Sequence, residues 1–220
     1  MMNKEQEVNI KKAWIPFKKM VKVCNQSNFL IEDDCIMEKK EFIGCSFSSS
    51  ITENSELEQN IFEKCTFDDV QMISFLFKNI RFNNCGAIST NFKNSKFVRT
   101  EFNSSKLLGI SFESSIGNDI TFSKCNCQLA DFRKTKLKKT IFENCILREA
   151  DFQGADLSGV TFTNCDLREA QFSFAILNGT FFCGSKIEGI KVQAESLRGA
   201  IVDYHQAAYL GTKTLGLKIQ

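Results

Sequence analysis

Ten cysteines and one histidine are the residues of this 220-residue chain best suited to chemistry. Thiolates and imidazoles bind zinc or act as nucleophiles. Their spacing argues against both roles. A zinc knuckle needs thiols in C-x2-C pairs that converge on one coordination sphere. Here the tightest pair, Cys125 and Cys127, is C-x-C, and His205 stands alone in the C-terminal tail. The sequence shows no nucleophile–base pair, Gly-rich phosphate loop or metal cluster. The expectation is a protein without catalysis, cofactor or metal. Cys45, Cys65, Cys85, Cys125, Cys145 and Cys165 instead share one twenty-residue phase, with Ser105 and Ser185 on other rungs of that phase. Residues that recur in this way read as small buried fillers. Stacked strands would bring neighbours to about 4.8 Å. Side chains pointing the same way have the wrong geometry for a disulfide, so free thiols are expected.

The start, MMNKEQEVNIKKAWIPFKKM, is too charged for a secretory signal, so a reducing cytoplasm is the expected location. No apolar run approaches the ~20 residues of a membrane helix. A net charge of +2 neither demands nor excludes a nucleic-acid partner.

The elements that position these residues follow from a second period. Counting by five from Phe42 to Val202 gives 33 positions, of which 31 are hydrophobic; Thr52 and Gly117 are the others. Two residues before each centre, 25 of the 33 are Ala, Cys, Ser, Thr or Val. A period of five fits neither a helix nor a flat strand. It fits a short extended side with two inward residues, followed by a corner. Phe42, Phe62, Phe82, Phe102, Phe122, Phe142, Phe162 and Phe182 repeat at twenty, so four sides close one coil. Phe92, Phe112, Phe132, Phe152 and Phe172 form the opposite side. Leu137, Leu157, Leu177 and Leu197 mark a third, and Leu147 and Leu167 a fourth. Like stacks on like in such a solenoid. The fold class predicted is an all-β quadrilateral β-helix of about eight coils over residues 40–202. Residues 1–39 are read as a partly irregular cap. In it Cys35 and Met37 make a first degenerate unit, and Trp14, Ile15, Phe17, Met20 and Val21 plug the end. Residues 203–220 read as a C-terminal helix, N-capped by Asp203 and closed by Gly216, followed by a short strand.

The outward charges differ by side. The sides of Phe62 and Leu147 each net −2, that of Phe152 is neutral, and that of Leu137 nets +3 through Lys78, Lys96, Arg99, Lys136, Lys138, Lys139 and Arg198. Phe174, Ile176, Phe181 and Ile201 are placed outward near the C-terminal end.

The phrase ADFQGADLSGVTF (residues 150–162) resembles the pentapeptide repeat proteins and their A(D/N)Lxx unit. That resemblance implies a right-handed coil. The tail IVDYHQAAYLGTKTLGLKI (residues 201–219) and the phrase EFIGCSF (residues 41–47) look like the Qnr and MfpA-like quinolone-resistance branch. This branch implies a bacterial type II topoisomerase, DNA gyrase or topoisomerase IV, as protein partner. It further implies a rod that mimics duplex DNA, protection from fluoroquinolones, and no direct contact with nucleic acid or membrane. It also implies a homodimer through the C-terminus, here assigned to Tyr204, Ala207, Ala208, Leu210, Leu215, Leu217 and Ile219. The Gram-negative Qnr proteins carry two projecting loops. The unbroken phase predicts a loopless rod, with residues 50–56 and 113–119 as the places able to hide a bulge. A repeat scaffold with an unrelated partner, or self-immunity to a gyrase poison, are the alternatives.

Overall fold

The computed structural model describes residues 11–14, 20–47, 51–214 and 216–218. Its strands are β1 (Val21–Cys24), β2 (Ile36–Glu38), β3 (Lys40–Ile43), β4 (Ile51–Glu53), β5 (Glu56–Glu58), β6 (Ile61–Glu63), β7 (Gln71–Ile73), β8 (Leu76–Asn83), β9 (Lys96–Asn103), β10 (Ile116–Ser123), β11 (Lys136–Glu143) and β12 (Thr161–Thr163). One helix, α1 (Tyr204–Thr214), follows. All the pairings are parallel, and from β2 onward each residue faces its counterpart twenty positions away. The chain is therefore a β-solenoid of about seven turns, one twenty-residue coil per turn. We number its walls by their inward centres: wall 1 after Phe42, wall 2 after Phe47, wall 3 after Thr52 and wall 4 after Leu57.

The corners explain the period of five. The residue two after each centre takes left-handed backbone, as at Asn54, Asn79, Ser89, Asp119, Leu129 and Phe174, with φ of 54–61°. Such a residue turns the chain at a cost of about 1–2 kcal/mol when it carries a Cβ. Asn, Asp, Ser and Gly therefore recur at this position.

The interior is a pair of aromatic stacks. On wall 1, rings from Phe42 to Phe182 lie nearly parallel, 4.6–5.3 Å apart, which is the spacing of neighbouring strands. On wall 3, Phe112, Phe132, Phe152 and Phe172 stack at 4.9–5.0 Å. The two columns meet edge to face, at 84–89° between Phe102 and Phe112 and between Phe122 and Phe132. That arrangement sets the electropositive edge of one ring on the face of the next.

The cysteine column runs beside the Phe stack and has a donor role that the spacing does not reveal. Cys85, Cys125, Cys145 and Cys165 each donate to the carbonyl of the wall-1 Phe 23 residues earlier, at 3.3–3.4 Å. Ser105 and Ser185 make the same bond, to Phe82 and Phe162, as do Thr90, Ser115 and Thr180 on other walls. This explains why Cys, Ser and Thr interchange at the small inward position. All ten thiols are free. Burial holds the neighbouring Cys127 thiol well above its ordinary value, so it stays protonated at neutral pH. Native protein treated with a thiol reagent should label exposed Cys24 quickly and the buried column only after unfolding in guanidinium. Counting labelled thiols by mass spectrometry checks this.

Gly117 sits in register between Phe97 and Leu137, and β10 continues through it without a bulge. The space is filled from within: a Cβ at Gly117 would lie 2.3 Å from Ile120 Cδ1 and 2.8 Å from Leu137 Cδ2. The equivalents of Ile120 on the neighbouring coils are Thr100 and Thr140. Gly117→Leu should therefore cost about 1–3 kcal/mol through overpacking. Adding Ile120→Thr should recover most of it, a coupling that chemical denaturation of the two variants measures. In the other weak segment, β4 pairs with β7, Thr52 opposite Met72; Ser50 lies outside the described residues.

At the N-terminal end the coil begins before residue 40. Val23 pairs with Phe42 at a separation of 19, and Phe29 bridges Phe47 at 18. Met37 is buried opposite Leu57, as its reading as a degenerate unit requires. Phe29 packs edge-on against Phe42 at 5.1 Å and, with Ile31, closes this end of the core. Trp14 and Val21 do not plug it. Trp14 is 65% exposed because residues 11–14 run along the outside of the rod, and Val21, on β1 opposite Lys40, is 63% exposed. Ile15 and Phe17 lie outside the described residues.

Candidate interaction surfaces

Three surface features stand out: the strap of residues 11–14, the C-terminal cap and the unequal charge of the walls. The strap is held by its backbone. The Lys11 N–H donates to Asp119 Oδ1 at 3.2 Å, the Ala13 N–H to Glu101 Oε1 at 2.9 Å and the Trp14 N–H to Asn79 Oδ1 at 3.4 Å. Arg81 bonds Glu101 through Nε and the Ala13 carbonyl through Nη2. Met20, packed on Ala13 and Ile61, holds the strap's lower end. Acceptors from successive coils thus grip one extended segment.

The cap answers the open end of the last coil. Asp203 and Gln206 form a reciprocal capping box: each backbone N–H donates to the other's side chain at 3.0 Å. The Gln206 N–H holds the Asp203 carboxyl below its ordinary value. This group therefore adds stability above the usual carboxylate range, and its contribution fades as pH falls through the lowered value. Gln206 is buried, and its Nε2 donates to the Phe182 and Ser185 carbonyls at 2.7 Å each. Tyr209 Oη accepts from the Gly189 N–H at 2.6 Å. Gly216, at φ +66°, turns the tail so that the Leu217 N–H reaches the Gly211 carbonyl at 3.0 Å.

The proposed dimer residues divide accordingly. Leu210 is 7% exposed and belongs to the core of its own chain, a correction to its placement on a partner surface. The helix rotates it onto the same side as Gln206, four residues earlier. Tyr204 (79% exposed), Ala207 and Leu217 face outward, and Ala208 is half-buried. Leu215 and Ile219 lie outside the described residues. Phe174 and Ile176 are exposed, whereas Phe181 and Ile201 are half-buried.

Several ion pairs tie the surface together. Lys22–Glu41, Lys78–Glu58, Arg81–Glu101 and Lys93–Glu113 join neighbouring coils, and Arg133 reaches Asp131 and Glu113. On wall 4, among the described residues, Lys96, Lys136, Lys138 and Lys139 are in no ion pair. No group of three or more His, Cys, Asp or Glu among the described residues is arranged to hold a metal, and no helix among them is long and apolar enough to cross a membrane.

Residues 95–172 and 115–192 match the model of the pentapeptide repeat region. Residues 95–192 are thus a pentapeptide repeat region. Among solved pentapeptide repeat structures, HetL of the cyanobacterium Nostoc sp. strain PCC 7120, described as involved in heterocyst differentiation regulation, is 12% identical. Its match covers 82% of this chain and 87% of that one at a TM-score of 0.60. Full-length QnrB1, described as a plasmid-mediated fluoroquinolone resistance protein, is 20% identical over 90% of this chain and all of that one (100%), with a TM-score of 0.46. No curated protein matches. The likeness to HetL is one of fold.

Proposed function

We propose that this protein is a non-enzymatic, cytoplasmic binding protein that engages a bacterial type II topoisomerase and protects it from fluoroquinolones, acting as a C-terminal homodimer. The observation that carries this reading is the tail. Within the phrase at residues 201–219 that resembles Qnr C-termini, Tyr204–Thr214 form a helix capped by Asp203. Gln206, Tyr209 and Leu210 hold it to the last coil, while Tyr204, Ala207 and Leu217 are left outward. A two-fold pairing of such ends would cover both. Walls 1 and 2, each with a net charge of −2, are the part of the surface suited to duplex mimicry.

The test is a gyrase supercoiling reaction inhibited by ciprofloxacin. Purified protein should restore supercoiling at or below equimolar ratio. Leu217→Asp should run near 25 kDa in sedimentation, half the wild-type dimer mass, and rescue poorly. Absence of rescue with both gyrase and topoisomerase IV would favour a scaffold with a different partner.

A further inference from the structure

We propose that wall 4 is a binding strip for the phosphate backbone of duplex DNA. In the coil of β11, Lys134, Lys136, Lys138 and Lys139 are all exposed. Two rungs away on the same wall are Lys96 and Arg99. Whereas Lys78, Arg81 and Lys93 are matched with acids on adjacent coils, Lys96 and the four lysines of the β11 coil are in no ion pair among the described residues. The nearby carboxylates are already engaged. Asp119 is buried and accepts from the Lys11 N–H and Asn118 Nδ2. Asp156 accepts from the Ser158 N–H and Oγ. Glu101, at the adjoining corner, is held by Arg81 and the Ala13 N–H. The strap that occupies Glu101 and Asp119 also brings exposed Lys11 and Lys12 to the edge of the strip.

The chemistry selects the partner. Lys136 and Lys138 project from one strand two residues apart, about 6.6 Å, close to the separation of successive phosphates on a nucleic-acid strand. Lysines act as point charges without the fork that reads base edges, so contacts of this kind position a backbone and carry no sequence preference. Single strands are bound through aromatic platforms, and between Lys96 and Lys139 this wall presents Val98, Ile116 and Asn118 but no aromatic side chain outward. A duplex backbone fits a straight, basic, non-aromatic strip. The strip departs from the expectation of a protein partner alone, and it stands independently of the topoisomerase reading.

The test uses the full chain and a fluorescein-labelled 20-base-pair duplex of mixed sequence, read by anisotropy between 50 and 200 mM salt. Binding should weaken with salt with a log–log slope of about −3 to −5, as four or five phosphate contacts require. The variant K134Q/K136Q/K138Q/K139Q should bind at least tenfold more weakly at the lowest salt, with a slope shallower by about three, and should melt like wild type. The control K64Q/K106Q/K124Q/K186Q removes the same charge from walls 1 and 2 and should bind nearly as wild type. No anisotropy change at 50 mM salt, or an equal loss in the control, would overturn the proposal. So would a preference for polyglutamate over DNA at equal charge, which would point to an acidic protein.

Discussion

Phe142→Ala should destabilise the protein by about 3–5 kcal/mol, among the largest effects of any single side-chain truncation in this chain. Phe142 is fully buried. Its ring stacks on Phe122 at 4.6 Å and on Phe162 at 5.0 Å, and meets Phe132 and Phe152 edge-on at 5.6 and 6.3 Å. Truncation loses the apolar burial and leaves a void between two rings fixed by their own strands. Each flanking ring is pinned by a parallel ladder in strict register, so the site cannot collapse. The solenoid transmits the loss locally, because each coil touches only its neighbours. Phe182, with a stacked partner on one side alone, should cost less when truncated. Urea denaturation of the two variants measures the difference, and equal costs would contradict the stacked-column account.

Gln206→Ala should cost about 2–3 kcal/mol and promote association. The substitution removes one half of the capping box and both bonds to the Phe182 and Ser185 carbonyls. Those acceptors belong to the last coils, and no later strand replaces the donor. The Phe182 carbonyl still accepts from the Ser185 N–H at 3.0 Å, so the Ser185 carbonyl is the one that loses its donor, and an unsatisfied buried acceptor costs about 1–3 kcal/mol before relaxation. A frayed cap bares the last rung, an edge able to template another chain. Asp203→Ala removes the cap and the bond that Oδ2 accepts from the Gly184 N–H at 3.1 Å, leaves the Gln206 bonds to the last coil in place, and should cost about 1 kcal/mol. Thermal melts with light scattering separate the two: only the Gln206 variant should scatter before it melts.

The architecture is legible in the sequence because each coil sees the same pocket above and below, so like residues recur. The Phe and Cys columns and the C-terminal helix are therefore where the spacing places them. What the spacing hides is whatever breaks translation symmetry. The strap is bound through the backbone N–H groups of Lys11, Ala13 and Trp14, and backbone groups leave no residue pattern. Trp14 reads as core by type, yet is exposed because the neighbours that hold the strap are carboxylates and an amide on the side of the rod; Val21 is exposed on β1. Phe29, which does close the end, sits 18 residues before its partner and so falls out of the five-residue phase. Leu210 reads as surface because its helix face is shared with Gln206, a polar residue buried for its two donor bonds. The strip on wall 4 is visible as charge in the sequence, but its lack of acidic partners emerges only with the rungs in place.

The strap alters how such a rod comes apart. In a bare stack, coils peel away singly from an end. Here one stitch runs from Ile61 to Asp119, so loosening the early turns also tugs on turns that lie several rungs deeper. Under mechanical load that stretch yields together, as a splinted beam breaks, while the turns beyond it remain free to unravel one at a time.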